Sequence, residues 1–184
     1  MPVTPRLLAE AVAHSDFDDY RRLLSDPQVA KTLSVNGKPL PDETVRDFLK
    51  QHVDHWQQHG FGLWVFRQKS DGRFVGRGGI KYFEIDQGTV VGLAYAVMPE
   101  FWNQGFATEM ARPSLETGFG PLGFSEIYGW TLPVNLASQR IMEKLGFRYE
   151  RDFEYVGLPH RLYCLAADGA NAITRQPESQ ARRD

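Results

Sequence analysis

The residues Trp102-Asn103-Gln104-Gly105-Phe106-Ala107-Thr108-Glu109 follow an apolar stretch that ends at Pro99, and they lead into a helical pattern. A strand that stops at a proline, a tight turn and a helix opening near Gly105 would aim unpaired backbone N–H groups at one point. The positive end of the helix dipole would point the same way. A phosphate or pyrophosphate group needs that environment, and a glycine at 105 lets the backbone approach it closely. An ordinary strand-to-helix turn explains the segment equally well when it stands alone.

About thirty residues further on, Asn135-Leu136-Ala137-Ser138 opens a run that continues through Ile141, Met142, Glu143, Lys144, Leu145, Gly146 and Phe147. Asn135 occupies a helix N-cap position and Gly146 a left-handed C-terminal position. Ala137, Ile141 and Leu145 share one helical face. Asn135 by itself needs no role beyond the cap.

Several elements must position these two segments. Arg6 to Val12 reads as a first strand, and Asp16 to Tyr20 starts a short helix with acids in its first turn. Pro41 opens a longer helix that closes at Gly60. Phe61 to Gln68, Arg73 to Ile85 and Val90 to Met98 read as three strands, with a turn at Ser70-Asp71-Gly72 and a link through Asp86-Gln87-Gly88. Ile127 to Leu132 is a further strand before the Asn135 helix. Arg148 to Val156 and Leu158 to Ala166, joined at Gly157, are the last two. Strands first in succession and then bracketing two helices predict a mixed α/β sheet. Residues 1–167 are expected to form one domain, and 168–184 a polar, flexible tail.

Composition narrows the class. The chain has 184 residues, 42% hydrophobic and 24% charged, as soluble globular domains have. A net charge of −2 without a basic stripe argues against a nucleic-acid partner. No apolar run approaches the ~20 residues of a membrane helix, so no membrane association is expected. Cys164 is the only cysteine, which suits a reducing, cytoplasmic compartment. The oligomeric state stays open.

Together, the Trp102 to Glu109 run and Asn135-x-x-Ser138 with Glu143 to Phe147 resemble the GNAT superfamily of N-acetyltransferases, particularly the branch that acetylates ribosomal-protein N-termini. The resemblance extends from about Pro5 to Ala167. It implies a mixed, mostly antiparallel sheet of about six to seven strands flanked by about four helices. It also implies acetyl-CoA as co-substrate, no metal, and direct transfer of the acetyl group to a primary amine.

Residue by residue, the resemblance implies that backbone of Ala96 and Val97 pairs with the pantetheine arm. The amides of Asn103, Gln104, Gly105, Phe106, Ala107 and Thr108 would hold the pyrophosphate. Asn135 would bond the arm, and Ser138 would sit near the sulfur and assist its departure. Trp102 reads as packing. Many relatives place a tyrosine acid where this chain has Met142, and an acid on the central strand where it has Gly92. Glu84 and Asp86 are the candidate replacements for that base, although surface charges at a strand end are the commoner explanation for such residues.

Amine chemistry favours an N-terminal acceptor. A lysine amine with pKa ≈ 10.4 is about 0.1% neutral near pH 7.4, whereas a peptide α-amine at ≈ 7.7–8.0 is roughly a quarter neutral. The α-amine therefore needs little or no base. A small-molecule amine is the alternative acceptor, and a non-catalytic acyl-CoA sensor is the rival outside enzymology.

Other constellations carry weaker signals. His52, His55 and His59 on the long helix read as solvated rather than metal-binding. Cys164 and His160 read as a small buried residue and its neighbour rather than a nucleophile and base. Arg77-Gly78-Gly79 reads as a bulge or packing feature. Pro113 is expected to kink the helix that follows Gly105. The resemblance implies that the helices around Asp16–Tyr20 and Pro41–His59, with Tyr20, Trp56 and several acids, border an acceptor pocket suited to a cationic amine.

Overall fold

The computed structural model describes residues 4–168 except Val35 and Gln87. The expected tail after Asp168 lies outside the described residues. In chain order the elements are β1 (Leu7–Ala11), α1 (Phe17–Leu24), α2 (Pro27–Leu33), α3 (Asp42–His59), β2 (Leu63–Gln68), β3 (Phe74–Ile85) and β4 (Gly88–Val97). There follow α4 (Phe106–Phe119), β5 (Glu126–Thr131), α5 (Leu136–Lys144), β6 (Arg148–Tyr155) and β7 (Leu158–Ala166).

The seven strands form one sheet in the order β1-β2-β3-β4-β5-β7-β6. All neighbours are antiparallel except β4 and β5, which are parallel and meet only at Gly92 and Tyr128. Beyond that point they separate. The side of β4 from Leu93 to Val97 that faces β5 therefore has no strand partner.

The sheet belongs to the mixed α/β class expected, with one helix more than the sequence reading counted. The addition is α2. Asp26 caps it by accepting the amides of Gln28 and Val29 at 2.8 and 3.1 Å, and Pro27 occupies the first helical position. An Asp-Pro start is a recognisable helix signal. The strand bulge also differs from expectation. Arg67 opposes Phe74 while Phe66 opposes Gly76, so the extra residue is Val75, upstream of Arg77-Gly78-Gly79.

Side-chain alternation divides the sheet's covering. Arg77, Lys81 and Phe83 on β3 share a face with their β4 partners Ala96, Gly92 and Val90. The α1–α3 region covers that face, since Tyr20 lies under the Arg77 guanidinium. On the other face Met110 of α4 reaches Gly78, and Met142 of α5 reaches Gly129. Large side chains such as Tyr20, Phe66 and Phe106 are fully buried between these layers, each contributing about 1.5–3 kcal/mol.

The helix α4 runs through Pro113 to Phe119 without ending. The residue removes one amide donor two turns past the first turn, where the binding geometry is set. Gly118 lets the same helix lie close to the sheet: a Cβ there would come within 2.6 Å of Ile127.

At Gly76 there is no room for a side chain, for a Cβ would lie 2.2 Å from the Ala96 carbonyl oxygen and 2.9 Å from Val97 Cα. Both atoms are backbone and cannot move aside cheaply. Gly76→Ala should therefore lower stability by about 1–3 kcal/mol through overpacking, read as a lower denaturant midpoint.

Candidate functional site

Where β4 and β5 part, a cavity of about 880 Å³ opens, and it runs from the first turn of α4 and α5 through the gap to the α2–α3 side. Its two ends differ in chemistry.

At the α4 end the chain takes two positive-φ residues in quick succession, Asn103 at 59° and Gly105 at 80°. They fold the turn so that the first amides of α4 face outward. Among the described residues, no acceptor meets the amides of Phe106, Ala107 or Thr108; the first backbone bond of the helix is Glu109 N–H to the Gly105 carbonyl, 3.0 Å. Gln104 closes the turn by donating its side-chain amide to the Glu100 carbonyl at 2.9 Å. Trp102 donates its indole N–H to the Val97 carbonyl at 2.7 Å, so its role includes tying the turn to β4.

The acid in that first turn, Glu109, would oppose an incoming anion. Arg6 neutralises it through two contacts of 2.7 Å, from its backbone N–H and its Nε. Arg6 also stacks 4.0 Å over the Phe106 ring and donates to the Gln104 carbonyl at 3.0 Å. The entry to β1 thus braces the turn and keeps its field positive.

Alternation decides which β4 backbone groups face the gap. The Met98 amide bonds the Val75 carbonyl at 2.9 Å, so Met98, Ala96 and Ala94 point to β3. Tyr95 and Val97 point to the unpartnered side. Of the two residues named for the pantetheine arm, Val97 faces the gap, while Ala96 contributes a small side chain and has its backbone in the β3 ladder. Tyr95, like Val97, presents its backbone to the gap.

Asn135 caps α5, its Oδ1 accepting the Ser138 amide at 3.1 Å, which leaves its NH2 group for another partner. The Ser138 hydroxyl lies 2.8 Å from the Tyr95 hydroxyl, and the Tyr95 hydroxyl also reaches the Ser138 carbonyl at 3.2 Å. Burial pushes the Tyr95 phenol up to about 12, so it stays protonated at neutral pH. Tyr95 is the residue that the sequence reading passed over. Its signal lay in strand alternation, which sets it on the α5 face, but the distance to Ser138 spans 43 positions and no local pattern announces it.

The far end of the cavity is cationic. Arg77 and Lys81 of β3 and His52 of α3 line it, Arg140 of α5 and His160 of β7 line the same cavity, and no Asp or Glu does so among the described residues. This corrects the expectation of an acidic acceptor pocket. Asp16 and Asp19 are drawn to Arg67 of β2, at 3.1 and 2.7 Å, and Tyr20 is buried with its hydroxyl 3.2 Å from His52 Nδ1. Trp56 packs against Trp64 and donates to the Leu63 carbonyl at 2.6 Å.

Neither candidate base reaches the cavity. Glu84 accepts from the Thr89 hydroxyl at 2.6 Å, and Asp86 pairs with Arg151. At Gly92 itself the space is filled: a Cβ would stand 2.7 Å from the Phe83 ring and 3.0 Å from Trp130.

The histidines are not solvated as a set. His55 Nε2 accepts the Tyr82 amide at 3.0 Å, which assigns the proton to Nδ1, 2.9 Å from the Phe61 carbonyl. That bond satisfies an edge amide of β3 beyond the end of β2. Burial holds His52 well below the ordinary histidine value, with Arg77 and Lys81 acting in the same direction. Burial likewise pushes the Cys164 thiol up to about 11, which leaves little thiolate at neutral pH.

The acetyltransferase (GNAT) domain profile matches residues 6–148, and the chain belongs to that family. It is thereby an acyltransferase. Over 142 residues it is 30% identical to the uncharacterized protein YkkB of Bacillus subtilis, covering 77% of this chain and 80% of that one. It is also 30% identical over 165 residues to the FsC-acetyl coenzyme A-N(2)-transacetylase of Aspergillus fumigatus, covering 82% of this chain and 66% of the fungal protein. Among solved structures, the ribosomal L7/L12 alpha-N-protein acetyltransferase RimL in complex with coenzyme A superposes with a TM-score of 0.73. That pair is 15% identical and covers 91% and 98% of the two chains, a likeness of fold.

Lys81 offers a test of the cationic end. Its ammonium sits 3.9 Å over the Phe83 ring, and burial, then Arg77, pushes it down to about 8. Between pH 8 and about 10.4 the unfolded chain binds the lysine proton and the folded chain does not, so stability rises with pH. Relative to Lys81→Met, the native protein should gain a few degrees in Tm across that window in a thermal-melt series.

Proposed function

We propose that this enzyme transfers the acetyl group of acetyl-CoA directly to a primary amine, and that the favoured acceptor is a peptide or protein N-terminal α-amine. The observation that carries the reading is the split between β4 and β5, with free amides of α4 at its mouth and the Tyr95–Ser138 hydroxyl pair within it. These residues fit the co-substrate. The amides of Asn103 to Thr108 would hold the pyrophosphate, the gap-facing backbone of Tyr95 and the Val97 amide the amide-bearing arm, and the Asn135 NH2 group an arm carbonyl. The name of the fungal relative, which includes acetyl coenzyme A, supports the same donor.

In the transfer, the neutral amine adds to the thioester carbonyl carbon, the C–N bond forms, and the C–S bond breaks. The Ser138 hydroxyl gives its proton to the departing sulfur and is reprotonated by the Tyr95 phenol, which recovers a proton from water. The amine's surplus proton passes to water, because no carboxylate lines the cavity among the described residues. That lack of a carboxylate base supports an α-amine over a lysine or polyamine amine, which is almost wholly protonated at neutral pH.

Ser138→Ala should lower kcat by roughly 100-fold, and Tyr95→Phe by about 10-fold, with acetyl-CoA affinity unchanged by calorimetry. Full kcat with an unaltered pH profile in Ser138→Ala would remove the acid role. At the donor end, Ala107→Glu places a carboxylate among the cradle amides and should weaken acetyl-CoA binding at least about tenfold. Binding that ignores the substitution would move the pyrophosphate elsewhere.

A further inference from the structure

Arg77 is 8% exposed, yet among the described residues it forms no ion pair, and its Nε has no hydrogen-bond partner. A buried guanidinium is normally paired, and an arginine cannot escape the problem by losing its proton. The Tyr20 ring lies 5.9 Å from the guanidinium carbon. Lys81 lies four residues along the same face of β3, about 13 Å away by strand rise, and Gly79 between them adds no side chain. Both residues line the cavity on the face opposite to Tyr95, whose neighbour Ala96 is the register partner of Arg77.

Charge bookkeeping points one way. The α2–α3 end of the cavity holds two cations and the buried His52, and no carboxylate lines it among the described residues. Repulsion from Arg77 contributes to the lowered values of both Lys81 and His52, as a positive field without a counter-ion requires. A polyamine would meet repulsion there. An anion would remove it.

We propose that the acceptor carries a carboxylate close to its reacting α-amine, and that Arg77 binds this carboxylate while Lys81 adds to the attraction. This rests on the amine acceptor assigned above and names its class. The carboxylate can belong to an acidic residue near a peptide N-terminus or to a free amino acid, and the two sources share one chemistry. The planar guanidinium suits a two-point contact with a carboxylate, and the neighbouring gap lets the amine reach across β4 toward Ser138.

The test measures CoA release with four acceptors: a C-terminally amidated dipeptide with glutamate second, its glutamine counterpart, free glutamate, and spermidine. The glutamate dipeptide should exceed the glutamine dipeptide by at least about tenfold in kcat/KM, and spermidine should be the poorest. In Arg77→Met the ratio of the two dipeptides should fall to within about twofold while acetyl-CoA affinity holds. Arg77→Lys, which keeps the charge without the planar pair of donors, should give an intermediate ratio. Arg77→Met should also melt at an equal or higher temperature, since it removes an uncompensated buried charge; a sharp fall would mark Arg77 as structural and overturn the proposal. A ratio near one in the native protein, or equal losses on both dipeptides in Arg77→Met, would do the same. Free glutamate outperforming the dipeptide would assign the carboxylate to a small molecule, still through Arg77. Calorimetry of the same acceptors against the enzyme–CoA complex separates the two readings. Carboxylate-dependent binding without transfer would sink the enzymatic reading alone, and transfer without carboxylate dependence would sink this inference alone.

Discussion

The single strand pairing between β4 and β5 governs the molecule. Two parallel strands that bond at Gly92 and Tyr128 and then separate leave a row of peptide groups on β4 that no strand satisfies. Unpaired backbone in a sheet interior is costly, and proteins rarely leave it so without a partner of another kind. From Glu126 to Thr131 the other edge of β5 is held by β7. The aromatic pair Phe83–Trp130, with ring centroids 4.7 Å apart, fills the side-chain space at Gly92 and wedges the strands at their last common point. Everything with chemical potential in this chain is arranged around that opening.

Each side of the opening is held by hydrogen bonds within the protein. The α4 turn is braced by Arg6, Gln104 and Trp102, so its amides are oriented in advance. The α5 cap uses only one end of Asn135, and the hydroxyl pair of Tyr95 and Ser138 links α5 back to β4. Preorganisation of this sort reduces the ordering that binding would otherwise require. The arrangement also explains why a methionine at 142 is tolerable. Met142 is buried against Gly129 and packs α5 onto β5, while a phenol arrives from the sheet instead.

Much of this was legible in the chain because it is local. The α4 turn, the Asn135 cap, the left-handed stop at Gly60 and the seven strands all announce themselves within a few residues, through glycines, caps and alternation. α2 was missed although Asp26-Pro27 marks it, because seven residues are too few for a periodic pattern to stand out. What could not be read was pairing at long range. The Tyr95–Ser138 contact and the neutralisation of Glu109 by Arg6, 103 positions away, belong to the fold and not to any segment. The acids around Tyr20 misled for the same reason: their charge is spent on Arg67, which no spacing rule connects to them.

Arg77 and Lys81 show how a strand can hide a site. In a segment dominated by glycine and apolar residues, two cations at i and i+4 fall on one buried face, and alternation alone places them together. The segment resembles a packing feature until the covering layer is known. Once α1 and α3 are seen to bring Tyr20 and His52 rather than a carboxylate, the strand becomes an uncompensated charge beneath a cavity. A fold does not keep such an arrangement for its own stability, since an apolar side chain of similar volume would serve a core better. The charge is therefore best understood as held in readiness for a group that arrives with the opposite sign, on the face of β4 across from the hydroxyl pair.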